Sequence, residues 1–289
     1  VLILRHNESV YLAGGGANPV MNLRDLGADP VPVSVAGNDA YSEILVDMLR
    51  SKGIDSANII KSKCYRVPVK TRVMAGSVHT VKQQVVRIDR YGSNPPGKEA
   101  ESELIGRLLD LCGSKGTLLV SDYGGGIITD RVIRAVNEAA KKGVKVIVDS
   151  RYALKKFRHI ATATPNETEA GPLVGMEEYG EEDAAKMARL LASAVKSKGM
   201  IITRGSRGMV VLEKKQIRRI PAFGGDEIVD VSGAGDTVSS IVAAALSCGA
   251  SLYDAAFLAN IGGGIVVMKR GAATVTAKEL KKALNNGKA

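Results

Sequence analysis

From Thr117 onward the chain alternates short β-branched runs with amphipathic helical periods that stop at glycines, and few folds accept that pattern. The runs Thr117–Ser121, Val144–Asp149, Ile160–Thr164 and Met200–Thr203 are interleaved with helical periods over Thr129–Lys142 and Glu181–Lys198, closed by Gly143 and Gly199. Buried runs alternating with helices predict a doubly wound, mostly parallel α/β sheet covered on both faces. In such a sheet the loops at the strand C-terminal ends carry function. Met209–Glu213 and Gln216–Ile220 read as a hairpin, and the chain ends in helices at 237–247, about 252–268 and 277–285.

The first third is more broken. A helix from about Asn18 to Leu26 ends at Gly27, the strand Pro30–Val35 follows, and a helix from Ala40 to Lys52 ends at Gly53. Between 65 and 90 the pattern changes: Val67, Val69, Val73, Val78, Val81, Val85, Val86 and Ile88 stand among polar residues with a period near two. That spacing predicts antiparallel strands with one open face. Together with an apolar stretch in 1–12, they read as a small antiparallel β lid on a single domain over 1–289. The chain opens at Val1 without Met, on a run that looks like a strand already under way, which predicts further residues upstream.

Composition removes several function classes. Aromatics make up 4% and Trp is absent, so stacking platforms for single-stranded nucleic acid are not expected. The net charge of +10 is spread over pairs such as Lys141-Lys142 and Lys281-Lys282, which suits an anionic metabolite better than nucleic acid. Three dispersed cysteines and three histidines without ligand spacing give no disulfide framework and no zinc site. No run has the length of a membrane span and no signal peptide is recognisable, so a cytoplasmic location is expected.

The densest local signal is Asp230-Val231-Ser232-Gly233-Ala234-Gly235-Asp236-Thr237, which runs straight into an apolar helical period. Glycines at a helix N-terminus leave backbone N–H groups aimed at one small volume, where the helix dipole also favours an anion. Gly233, Ala234 and Gly235 would form that anion hole, with the Asp236 carboxylate in the same turn. The dipole and the amides should keep Asp236 ionised at neutral pH. An anion hole beside a carboxylate suits transfer of a phosphoryl group to an alcohol. The same residues also suit ordinary helix capping.

Four other segments fall at loop or close-contact positions. Gly14-Gly15-Gly16-Ala17-Asn18 enters a helix, where glycines allow close approach and Asn18 offers a donor and an acceptor to sugar hydroxyls. Thr164-Pro165-Asn166-Glu167-Thr168-Glu169 puts Asn166 and Glu169 one turn apart, fit for hydrated magnesium and phosphate or for a plain capping box. Thr203-Arg204-Gly205-Ser206-Arg207-Gly208 is a glycine turn that could pass beneath a nucleotide. Asn260-Ile261-Gly262-Gly263-Gly264 places glycines in mid-helix, for a ligand or for tight helix packing.

In order, G-G-x-A-N, S-D-Y, T-P-N-x-x-E, T-R-G-x-x-G, D-x-x-G-A-G-D-T and A-N resemble the ribokinase-like (PfkB-type) carbohydrate kinases. Within them the chain is most similar to the heptose-7-phosphate kinases of ADP-heptose synthesis, through Lys70–Gly76, Gln83–Asp89, Ser121-Asp122-Tyr123 and Val266–Gly271. The resemblance implies ATP, Mg2+ and in some members a monovalent cation. It implies Asp236 as base, Gly233, Ala234 and Gly235 as anion hole, and Asn166 and Glu169 organising phosphates and magnesium, Glu169 through water. Thr203, Gly205, Gly208 and Asn260 would line the nucleotide, and Gly14, Gly15 and Asn18 the sugar or sugar phosphate. It further implies a homodimer through the lid.

Ser232 stands where Thr is usual, and Gly125 where S-D-Y-x-K-G relatives carry Lys. The family's first strand, which usually brings an Asp to the sugar, has no counterpart before Val1. A heptose phosphate is the expected acceptor, with ribose, fructose or ketodeoxygluconate as alternatives. A non-catalytic sugar- or nucleotide-binding regulator on the same fold is the other class. A dinucleotide oxidoreductase would need an early G-x-G-x-x-G, which is absent.

Overall fold

The computed structural model describes residues 3–76, 82–91, 95–113, 116–178, 180, 182–224 and 228–286. Its centre is built from the alternating section of the chain. Strands β5 (Thr117–Asp122), β6 (Lys145–Ser150) and β7 (Thr162–Ala163) pair in parallel, with Val146, Ile147 and Val148 of the middle strand fully buried. Between β5 and β6 runs α4 (Asp130–Lys141), started by the Thr129 hydroxyl accepting from the Val132 N–H. It turns Val132, Ile133, Val136 and Ala139 inward, the one-sided stripe expected of a helix lying on a sheet.

The sheet continues through an isolated parallel bridge between Asn166 and Thr203, with the Thr203 N–H donating to the Pro165 carbonyl at 3.0 Å. Beyond it, β8 (Gly199–Thr203), β9 (Met209–Glu213) and β10 (Gln216–Ile220) are antiparallel. The sheet is therefore more mixed than the sequence pattern implied. Only five residues join β8 to β9, too few for the crossover that a parallel pair requires.

Two long helices, α7 (Ala234–Ser247) and α8 (Leu252–Val266), pack on each other, and α7 lies against β5 and β6. Gly262 and Gly263 of α8 face this contact, and Gly264 faces the loop at Phe223. A Cβ on Gly262 would collide with Ile241 Cδ1 of α7, and one on Gly264 with the carbonyl of Phe223. Of the two readings of that segment, helix packing is the one the structure bears out.

Nearer the N-terminus, α1 (Ala17–Asp25) rests on α7, and β1 (Ser34–Ala36) pairs in parallel with the three-residue β2 (Ile59–Lys61). Helices α2 (Ala40–Ser51) and α3 (Lys98–Cys112) follow those two strands, the latter a helix without a counterpart among the sequence expectations. Two expectations are corrected here. The strand expected at Pro30–Val35 forms only at Ser34–Ala36, where β2 supplies a ladder. Residues 3–12, expected as lid strand, form no strand: they find no pairing partner, and Ile3, Val10 and Leu12 stay exposed.

The lid hairpin itself consists of β3 (Val69–Ala75) and β4 (Gln83–Arg90), antiparallel with a bulge at Val73/Met74. Val78 and Val81 lie outside the described residues. The remaining helices are α5 (Glu167–Leu173), α6 (Asp183–Ala194) and α9 (Ala277–Asn285).

Candidate active site

The N-terminus of α7 opens on Gly233, whose φ of +81° is a left-handed conformation that side-chain-bearing residues rarely adopt. Space forbids a side chain there as well, since a Cβ would lie 2.6 Å from Asn18 Nδ2. Asp230 holds the turn before it, accepting from the N–H groups of Ser232 at 2.9 Å and Gly271 at 3.0 Å. Among the described residues, the N–H of Ala234 reaches the Val231 carbonyl at 3.3 Å, whereas those of Gly233, Gly235 and Asp236 have no backbone acceptor. Of the expected anion hole, Gly233 and Gly235 keep their N–H groups available and Ala234 does not, while the N–H of Asp236 joins them.

Asp236 does not cap the helix. Its carboxylate is 4% exposed and takes two side-chain donors, Asn18 Nδ2 on Oδ2 at 2.8 Å and the Tyr123 hydroxyl on Oδ1 at 2.9 Å. Asn18 is in turn fixed from α1 by Asn22, whose amide donates to the Asn18 carbonyl and Oδ1 and whose Oδ1 accepts from Thr237. The Asn18 amide is therefore engaged on the carboxylate and on Asn22, while Gly14 and Gly15 border open space. Burial pushes Asp236 up to about 6, the two hydrogen bonds working against it. Its pKa stands higher than helix dipole and amides alone suggest, because desolvation outweighs them, but the carboxylate is still mostly ionised at neutral pH.

Asp149, at the C-terminal end of β6, belongs to no motif in the sequence. It keeps some contact with solvent, yet its carboxylate is closely packed, and burial together with the charges of Asp236 and Glu169 raises it to about 7. The available signal was a carboxylate closing a buried parallel strand, where doubly wound sheets place ligands. Arg151, two residues on, offers its Nε to Glu169 Oε1 at 3.4 Å and lies 5.6 Å from the centre of the Tyr123 ring.

Asn166 and Glu169 form a complete capping box on α5: Asn166 Oδ1 accepts from the Glu169 N–H, and Glu169 Oε2 from the Asn166 N–H. The bridge to Thr203 brings this box beside the turn holding Gly205 and Gly208. Buried Glu167 ties the two segments by ion pairs to Arg204 at 2.7 Å and to Arg207. Asn260 sits apart from that bridge contact, its amide donating to the Pro221 carbonyl at 2.8 Å. A Cβ at Gly125, where relatives carry Lys, would make a tight 3.3 Å contact with the hydroxyl of buried Tyr65.

Among the described residues, no three His, Cys, Asp or Glu are grouped so as to hold a metal ion by themselves. The surroundings nevertheless fit a divalent cation that arrives with phosphates and water. Asp149, Asp236 and Glu169 lie close enough for the latter two charges to raise the first, and the Thr164 hydroxyl at the end of β7 is buried without a partner.

Above this hollow stands the hairpin. Register puts Lys70, Arg72, Arg87 and Asp89 on one face, and Thr71, Val73, Val86 and Ile88 on the other. Lys70 and Arg72 on the charged face are exposed, and Arg72 lies near enough to Asp230 for its charge to act on that carboxylate. Burial raises that carboxylate, but the Ser232 and Gly271 amides and the charge of Arg72 outweigh it and hold the pKa low.

A buried, doubly anchored carboxylate beside free helix amides is the arrangement of a group that receives a proton next to a transferring anion. Residues 2–279 match the pfkB family carbohydrate kinases. The chain belongs to that family. Carbohydrate kinases are phosphotransferases with an alcohol group as acceptor.

Among curated relatives, the Bifunctional protein HldE of Hyphomonas neptunium is 32% identical over 287 residues, covering 99% of this chain and 58% of that protein. HldE of Paramagnetospirillum magneticum is 34% identical over 288 residues, covering 98% and 57%. The chain thus spans little more than half the length of these relatives. Among solved structures, phosphofructokinase-2 from Escherichia coli in complex with potassium superposes with a TM-score of 0.79 at 19% identity, covering 99% of this chain and 93% of that one. Ribokinase from Thermotoga maritima gives 0.72 at 22%, covering 96% and 89%. These two likenesses establish the ribokinase-like fold.

Proposed function

We propose that this kinase transfers the γ-phosphoryl group of ATP to a hydroxyl of a sugar that already carries a phosphate, in the first place a heptose phosphate. The observation that carries the reading is the pairing of the Asp236 cradle with a cationic lid face. Asp236, held by Asn18 and Tyr123, orients the acceptor hydroxyl and takes its proton late, as a loose transition state permits. The amides of Gly233 and Gly235 receive charge on the phosphoryl oxygens. Bound ATP with magnesium supplies the phosphoryl group and screens its charge, and Glu169 and Asn166 would hold that magnesium through water. Thr203, Gly205, Gly208 and Asn260 are assigned to the nucleotide, and Gly14, Gly15 and Asn18 to the sugar side.

Lys70, Arg72 and Arg87 then meet the acceptor's own phosphate. Arg72 and Arg87 are directly opposed across the hairpin, and although Asp89 pairs with Arg87 at 2.9 Å, the three cations on this face outnumber that one carboxylate, which favours an incoming anion. The moderate likeness to HldE proteins supports a heptose. The apolar outer face, with Val86 and Ile88 each 43% exposed, supports completion of the lid by a second copy of this chain.

Turnover with ATP across free sugars and sugar phosphates tests the reading. Heptose 7-phosphate is expected to give the highest kcat/KM. A far higher value for free ribose or fructose than for any sugar phosphate would overturn the substrate class.

A further inference from the structure

Tyr123 is 40% exposed, yet its hydroxyl is committed to the most buried carboxylate of the site. A tyrosine at a surface normally points its hydroxyl at water. Here the backbone around it is arranged to prevent that. The neighbouring Asp122 carboxylate accepts from the Gly124 N–H at 2.9 Å and from the Ser150 hydroxyl at 2.7 Å, fixing the end of β5 to the end of β6. Tyr152 packs over Gly124, where a Cβ would fall 2.9 Å from its ring, and Arg151 lies toward the face of the Tyr123 ring. The phenol is thereby delivered to Oδ1 of Asp236 from the side opposite Asn18.

We propose that Tyr123 is a positioning residue for the base, fixing the rotation of the Asp236 carboxylate so that a free lone pair meets the acceptor hydroxyl. The proposal rests on the kinase reading, in which Asp236 is the base. Two donors from different elements, α1 and the end of β5, leave the carboxylate no freedom about its terminal torsion, which is otherwise broad. Asn18 alone would restrain that torsion through a single hydrogen bond, less stiffly than two donors on opposite oxygens do. The loss from such freedom is in orientation, which weighs on turnover more than on ground-state binding.

The phenol also favours the charged form of Asp236, so its removal should make the base easier to protonate. Other charged groups facing Asp236 are Asp149 from β6 and, farther off, Glu169 from α5 and Arg151. From α1 only the neutral Asn18 and Asn22 approach.

The test is Tyr123→Phe in the whole chain. The expected result is a fall in kcat of about 10–100-fold, with KM for ATP within about twofold of wild type. The acid limb of kcat should rise by about one pH unit, and the Asp236 carboxyl carbon, read by NMR on 13C-Asp protein and assigned with Asp236→Asn, should titrate higher by a similar amount. A merely structural tyrosine would lower Tm and move neither titration. Normal kcat in Tyr123→Phe beside an active wild type overturns the positioning role alone, and so does an unmoved carboxyl titration. A wild type inert toward every sugar and sugar phosphate overturns the kinase reading and the proposal with it.

Discussion

The cradle at the head of α7 and the β3–β4 hairpin, which approach each other at Asp230 and Arg72, are made on different terms. In the cradle both oxygens of Asp236 are held by side chains from other elements, the adjoining turn is pinned by Asp230, and the helix behind is sealed by glycine contacts. The hairpin is two-stranded, exposed on its apolar face, and sets Arg72 opposite Arg87, with Asp89 on the same face ion-paired to Arg87 at 2.9 Å. A two-stranded ribbon alone is marginal in water. On the proposed reading, the chemistry belongs to the rigid region and recognition to the looser one. Substitutions in the cradle should therefore change turnover, and substitutions in the hairpin should change affinity.

Asp236→Asn should show the largest effect. Turnover is expected to fall by roughly 10²–10⁴, the range for a positioned acid–base group, with nucleotide affinity kept. Stability should move the other way. The folded pKa near 6 exceeds an unfolded value of about 4, so the folded state binds the extra proton. The stabilisation from that proton is complete below about pH 4 and lost as pH rises through about 6. At pH 7.5 the buried charge is a burden of ~2 kcal/mol, and the Asn variant should melt higher than wild type, the gap closing as pH falls toward 4. Paired kinetics and melts over that window check both halves; a variant that melts lower at pH 7.5 and turns over normally would break the comparison.

Gly233→Ala comes next. It combines φ +81° with displacement of the Asn18 amide, so both Tm and kcat should fall, kcat by about tenfold or more. Gly249→Ala is the control. That glycine has φ +87°, but a Cβ there would meet no atom within 4 Å, so the substitution should lower stability only. Equal kinetic effects from both would show the cradle to be less exacting than its geometry indicates.

The smallest effects belong to the lid. Arg72→Gln or Arg87→Gln should raise KM for the sugar phosphate about tenfold, with kcat and KM for ATP nearly unchanged. A kcat defect without a KM change would erase the division of labour between the two regions.

What the sequence disclosed depended on how local each determinant is. Helices with a full apolar stripe and a clear stop, such as α4 and α7, were legible to within a few residues. Helix α3 was not: it begins on Gly97 with no side-chain cap, and the acidic Glu99 and Glu101 of its first turn were the one start signal available. The segment at 3–12 is apolar like a strand, but a strand exists only where another pairs with it. In the site, Asp236 and Asn18 were legible as motif residues, though their 2.8 Å contact spans 218 positions. Asn22, Tyr123 and Asp149 carry no motif that states a role; they act through contacts made only after the helices and sheet are assembled.

Two α8 glycines, one packed on α7 and the other on the loop at Phe223, do not carry the same history forward. What opposes a side chain at Gly262 is the tip of Ile241, and trimming one carbon from that neighbour makes room. What opposes one at Gly264 is the main chain of Phe223, which no substitution shortens. The first position can drift through lineages by compensated pairs of changes. The second is closed to that route, and any descendant that departs from it must first reroute the loop leading to the cradle.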